Sequence, residues 1–121
     1  MSSDEKGERR WASGDFDISR VTGIGEFFEE ERVTGKGDEK IKIFKVSEDG
    51  KAFLVVRKNT VEIRTDGRLS ILLRERYESV MESRYFGRGG IEIVLSGQIP
   101  LGEIYDLVRL SYDMTKKLIF S

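Results

Sequence analysis

An α+β two-layer sandwich, an antiparallel sheet packed by helices, is the fold this sequence predicts, and three patterns predict it. Thr60 to Thr65 (TVEIRT) alternates polar and apolar residues, the period of a half-buried strand. Leu69 to Met81, and again the chain after Leu101, places apolar residues three and four apart, the period of an amphipathic helix. The segments between residues 41 and 65 are joined by short turns, which suit an antiparallel meander and leave no room for crossover helices. The predicted order is α-β(3)-α-β(1-2)-α.

Residues 1–20 follow neither period and are expected to be a flexible N-terminal tail, with one α+β domain over 21–121. Trp11, Phe16 and Ile18 are the tail's large apolar residues, and Trp11 is read as a cover for an apolar patch. Ile24 to Arg32 (IGEFFEEER) is predicted to be a short helix with Ile24, Phe27 and Phe28 inward, broken by Gly35 and Gly37. Ile41 to Val46 alternates as a strand, and Ser47-Glu48-Asp49-Gly50 turns the chain. Ala52 to Arg57 (AFLVVR) is nearly all apolar and suits a central strand. Val61 and Ile63 then point inward, with Glu62 and Arg64 outward.

Asp66 or Ser70 caps the next helix, predicted over Leu69 to Met81. Arg84 to Gly90 (RYFGRGG) is a glycine-rich basic connection, and Ile91 to Leu95 is a strand. Pro100 fits the first turn of the last helix, Leu101 to Ile119. Its buried stripe is predicted as Ile104, Leu107, Val108, Ser111, Thr115 and Leu118. Leu101, Tyr105, Leu110 and Tyr112 broaden the apolar surface beyond what a surface helix needs. Leu101, Tyr105 and Tyr112 are therefore candidates for a partner-facing surface.

The composition excludes several chemistries. Among 121 residues there is no cysteine and no histidine, so disulfides, Ser-His-Asp triads and Cys-His pairs cannot form. A metal site would lack imidazole and thiolate, which is unusual. No cofactor motif is visible: RYFGRGG lacks the phosphate-loop pattern, and it precedes a strand where a dinucleotide fingerprint opens a helix. Carboxylate pairs such as Asp106 and Asp113 read as solvated surface in a chain with 22 acids. No run is long enough to span a membrane, positions 1–20 do not read as a signal peptide, and the expected location is cytoplasmic.

The net charge of −1 conceals a gradient. Residues 1–50 carry 9 bases and 13 acids, residues 51–90 carry 9 and 5, and residues 91–121 carry 3 and 4. Only the middle segment offers the positive footprint of a nucleic-acid binder. Its candidates are Arg57, Lys58, Arg64 and Arg68 on or beside one hairpin, and Arg84, Tyr85 and Arg88 on the glycine-rich one. Projecting the same way, the two could straddle a backbone, with Tyr85 or Phe86 as a stacking platform. The structural alternative packs Tyr85 and Phe86 on the sheet. The expected role is a noncatalytic binding or adaptor protein acting through protein contact or self-association. The alternatives are weak, non-sequence-specific nucleic-acid binding, and small-molecule binding or an unrecognised enzyme.

Tyr77, Val80 and Tyr85, then Leu95, Gly97 and Pro100, then Ser111 and Tyr112 resemble the pattern of the MmcQ/YjbR-like family over about residues 40–119. The resemblance implies a secretion-chaperone-like two-layer fold and a suspected "double-wing" DNA-binding role. The His-Trp pair typical of that family falls on Gly89 and Gly90 when Leu95 and Gly97 are aligned, with Arg88 near the preceding Lys.

Overall fold

The computed structural model describes residues 16–35 and 39–120. After a short 3-10 turn at Ile18–Arg20 come β1 (Phe28–Val33), β2 (Lys40–Lys45), β3 (Ala52–Val56) and β4 (Thr60–Arg64). Then follow α1 (Gly67–Arg76), β5 (Val80–Ser83), β6 (Gly87–Val94) and α2 (Leu101–Phe120). The six strands form one sheet in the order β1-β2-β3-β4-β6-β5, antiparallel at every step. The α+β fold and its antiparallel sheet flanked by two helices agree with the sequence expectation. The element order does not, because two segments predicted as helix contribute strand.

The first is Ile24 to Arg32. Phe28 to Val33 pairs with β2 throughout, Phe28 opposite Lys45 and Val33 opposite Lys40. The glutamates there favour a helix, but cross-strand pairing overrides that weak preference. Glu30 meets Lys45 at 2.8 Å and Glu29 meets Lys42 at 3.6 Å, so the acids of β1 are matched by lysines of β2. The second is the end of the predicted Leu69–Met81 helix. Asp66 caps α1 by accepting from the Leu69 amide at 2.8 Å, but the helix stops at Arg76, and Tyr77 is extended at φ −126° and ψ 130°. Val80 reaches the core from β5 instead.

Both helices cover the same sheet face. The main core joins Phe44, Leu54, Val61, Ile63, Ile91 and Ile93 to Ile104, Val108 and Tyr112 of α2 and Leu73 of α1. A bulge sharpens this layer. Phe44 pairs with Leu54 while Lys45 pairs with Ala52, so Phe53 is an extra residue on β3. Phe53 thereby joins Leu54 beneath the helices, where its ring meets Tyr112 edge-on at 5.1 Å. Phe16 also enters this core, with its ring 5.3 Å from that of Tyr105. Part of the segment read as a tail is therefore packed on the domain, whereas Trp11 lies outside the described residues.

Among the described residues the opposite face carries no helix. A smaller cluster of Ile41, Ile43, Ala52 and Val55 lies there, covered by Phe86. Phe86 reaches it because the β5–β6 pairing slips: Glu82 faces Ile91, yet Ser83 faces Gly87. The turn Arg84–Phe86 folds back over the sheet, aided by Gly87 at φ +63°. Gly90 permits the approach, since a Cβ there would lie 2.6 Å from the Phe86 Cβ and 2.8 Å from the Ile63 carbonyl oxygen.

Candidate functional site

Two carboxylates, Glu62, which alternation marks as outward, and Glu92, occupy the helix-free face. Glu62 and Glu92 face each other across β4 and β6, with fractional exposures of 0% and 2%. Buried charges of this kind persist only when paired and hydrogen-bonded. Glu62 accepts from Arg57 Nε, from the Ser83 hydroxyl at 2.6 Å and from the Tyr85 amide at 2.8 Å. Glu92 accepts from Arg84 at 2.5 and 3.0 Å and from the Thr60 hydroxyl at 2.8 Å. Burial disfavours the ionised Glu92, but the hydrogen bonds from Arg84 and Thr60 and the charges of Arg84 and Arg57 outweigh it, holding its carboxyl below the ordinary value.

These pairs consume much of the basic footprint. Arg57 is buried between Glu62 and Glu39, the latter at 3.0 Å. Arg84 is still 59% exposed, but its guanidinium is committed to Glu92. Arg64 donates from Nε to the Ala52 carbonyl at 2.7 Å and lies over the Phe86 ring, 4.9 Å from its centroid. Lys58, Arg68 and Arg88 are exposed, with no carboxylate partner among the described residues. The paired-wing arrangement is not formed. Thr60 pairs with Val94 and Arg64 with Gly90, so Lys58 and Arg88 extend from opposite ends of β4. The turn bearing Tyr85 lies back on the sheet, its amide on Glu62.

The helix layer redistributes the expected partner surface. Tyr105 and Tyr112 are buried, and Leu101 packs partly buried against the core. Tyr112 donates its hydroxyl proton to the Glu26 carbonyl at 2.7 Å, and the Tyr105 hydroxyl accepts from the Asp17 amide at 3.3 Å. Both tyrosines thus hold the segment before β1, and the three residues do not form an exposed surface. The apolar residues left open are Ile71 and Leu72 on α1 and Leu110 and Leu118 on α2, with Leu72 at 61% and Leu110 at 54% exposure. Leu118, assigned by period to the buried stripe, is 44% exposed. Between the helices runs a groove of about 130 Å³ lined by Thr65, Leu69, Leu107, Leu110, Ser111 and Met114. The spacing of 107, 110 and 114 in the sequence carries this signal, but only the position of α1 shows which face stays open.

A cleft of about 340 Å³ lies between Phe16–Ile18 and β1–β3. Its floor is Phe44 and Val56, and its rim mixes Glu29 and Glu31 with Lys40, Lys42 and Lys58. Among the described residues no group of three or more acids is placed to hold a metal ion, and no helix is long and apolar enough to cross a membrane.

No family model and no curated protein matches the chain. A crystal structure of a Deinococcus radiodurans protein, its domain designated DUF419, is similar in fold, with a TM-score of 0.72. The match covers 94% of this chain and 86% of that one at 17% identity, which establishes shared architecture and no more. The resemblance to the MmcQ/YjbR-like family is corrected by these findings: no family model supports it, and the similar structure is designated DUF419. The residues that carried it are turn and packing residues, as Tyr112 and Tyr85 illustrate, and such residues recur wherever the same backbone recurs.

Proposed function

We propose that this chain is a noncatalytic binding module acting in the cytoplasm, and that the groove between α1 and α2 receives a second copy of the same surface. The observation that carries this reading is the exposure of Leu72 and Leu110 beside a groove floored by Leu69, Leu107 and Met114. An apolar strip of that kind, rimmed by charge, is the usual mark of an interaction surface. Knob and groove belong to one face, so a two-fold axis sets each Leu110 against its copy's groove. The flanking charges favour the same arrangement. α1 exposes Arg68 and Arg76 with one acid, Glu75, α2 exposes Glu103, Asp106 and Asp113 with one base, Lys117, and the axis sets the basic excess of α1 against the acidic excess of α2. A secretion-chaperone-like use of a two-layer fold fits such a contact role.

Sedimentation from micromolar to millimolar concentration tests this. The wild type is expected to dimerise, and Leu110→Glu to remain monomeric with an unchanged circular dichroism spectrum, since Leu110 is exposed. A wild type that stays monomeric throughout the range, or a Leu110→Glu variant that dimerises equally well, overturns the reading. Nucleic-acid binding is supported less, because Arg57 and Arg84 are held by Glu62 and Glu92.

A further inference from the structure

Arg64 differs from the other arginines of the helix-free face. Arg57 and Arg84 each hold a buried glutamate there, whereas Arg64 is half-buried and pairs with no carboxylate among the described residues. Its position is nevertheless fixed. Nε is anchored on the Ala52 carbonyl at 2.7 Å, and the guanidinium carbon lies over the Phe86 ring, 4.9 Å from its centroid. Burial alone pushes its proton affinity down, and the nearby Tyr85 phenol counters only in part. Among the described residues no carboxylate balances this half-buried charge, so part of its donor capacity stays open to a ligand.

The neighbours extend the same chemistry. Tyr85, folded back with Phe86, has its ring edge-on to Phe86 at 5.0 Å, and Phe86 covers the cluster that contains Ile41, the residue Arg32 of β1 faces. Arg32 commits Nε and one amino group to a single oxygen of Glu30, at 3.2 and 2.7 Å. Lys45 reaches the other oxygen of Glu30 at 2.8 Å. Arg32, Lys45 and Arg64 stand beside Glu30, while Glu62 on the Tyr85 amide is paired with Arg57, so an excess of positive charge remains. The donors come from β1, β2, β4 and the β5–β6 turn, so they approach from several directions. A planar carboxylate suits one guanidinium fork, whereas a tetrahedral phosphate offers oxygens to donors arriving from several sides. The exposed Tyr85 ring adds a flat surface for whatever carries the phosphate.

We propose that Arg64, Arg32 and the Tyr85 hydroxyl form a binding site for the phosphate group of a small phosphate ester, on the sheet face opposite the helices. Arg64 is the anchor, Tyr85 donates its phenolic proton, and Arg32 supplies the amino group not spent on Glu30.

Isotope-labelled full-length protein, titrated with inorganic phosphate, phenyl phosphate and acetate at constant ionic strength, tests the site through the Arg64 side-chain Nε–H and Tyr85 amide signals. Phenyl phosphate is expected to shift both saturably in the millimolar range, inorganic phosphate more weakly, and acetate not saturably. Arg64→Gln should weaken phenyl phosphate at least about tenfold. Tyr85→Phe removes one exposed hydroxyl without disturbing packing and should weaken it severalfold, so a folding defect at position 64 does not decide the outcome. Arg68→Gln, on α1, should leave it unchanged. Saturable binding of acetate as tight as phosphate, no saturable shift at Arg64, or equal binding by the Arg64→Gln and Tyr85→Phe variants overturns the proposal.

Discussion

Replacing Glu62 by alanine tests whether the helix-free face is held by its ion pairs. Glu62 is wholly buried and satisfies three donors: Arg57 Nε, the Ser83 hydroxyl and the Tyr85 amide. Removing one partner of a buried pair leaves the other charge uncompensated, at a cost of about 3–5 kcal/mol. Arg57 keeps Glu39 at 3.0 Å, which places the expected loss near the lower end, at about 3 kcal/mol. For a domain of this size that corresponds to a fall in Tm of roughly 12 °C. Urea denaturation followed by circular dichroism gives the loss directly, with an unchanged m-value showing that the folded state keeps its compactness. The double variant Arg57→Met/Glu62→Leu removes both charges together and should recover more than half of it. Recovery stays incomplete because Ser83 and Tyr85 still lack their acceptor. A Glu62→Ala loss below about 1 kcal/mol would refute the reasoning, since that is the scale of a solvated surface pair.

Glu92 governs the acid limb of stability. Its carboxyl is depressed below 4.5 in the folded state, so its contribution is complete above that value and is lost as pH falls through the depressed one. The denaturation midpoint should therefore lose this contribution only below about pH 4.5, as Glu92 protonates, and Arg84→Met should flatten that slope; an unaltered slope excludes Arg84 as the cause. Gly90→Ala should cost about 1–3 kcal/mol by pushing Phe86 off the sheet. Gly89→Ala, whose added Cβ meets nothing nearer than 3.6 Å, should stay within about 0.5 kcal/mol, and equal losses at the two positions contradict the packing account.

The parts of the fold legible in the sequence are those where local and global preferences agree. TVEIRT is β4 because Val61 and Ile63 alternate with residues bound for the other face, and both partner strands accept that register. Asp66 is a helix cap because its side chain does for the Leu69 amide what the missing first turn cannot. Misreadings arose where two periods coincided. In Leu69 to Met81, Val80 and Met81 continue a helical stripe by spacing, yet Val80 is inward as a strand residue and Met81 is exposed. In IGEFFEEER the acidic run hid a period of two, with Glu29 and Glu31 on one face and Glu30 and Arg32 on the other; only the lysines of β2 disclose which reading wins.

The site was less legible because a charge count cannot tell an exposed cation from a spent one. Segment 51–90 has an excess of four bases, but Arg57 and Arg84 balance the buried Glu62 and Glu92, and alternation alone points Glu62 outward. The reason lies in the sheet. With both helices of the described residues on one face, the other is covered, among those residues, by a folded-back turn, one phenylalanine and a set of ion pairs. Polar covering of this kind requires the charges to be nearly matched, residue by residue, because each unmatched one carries its own desolvation cost. Glu62 and Glu92 meet that requirement through Arg57 and Arg84, and Glu30 meets it through Lys45 and Arg32. Arg64 is the half-buried exception, held by a carbonyl and an aromatic ring where its neighbours hold carboxylates, and a face otherwise balanced so closely gives that exception its meaning.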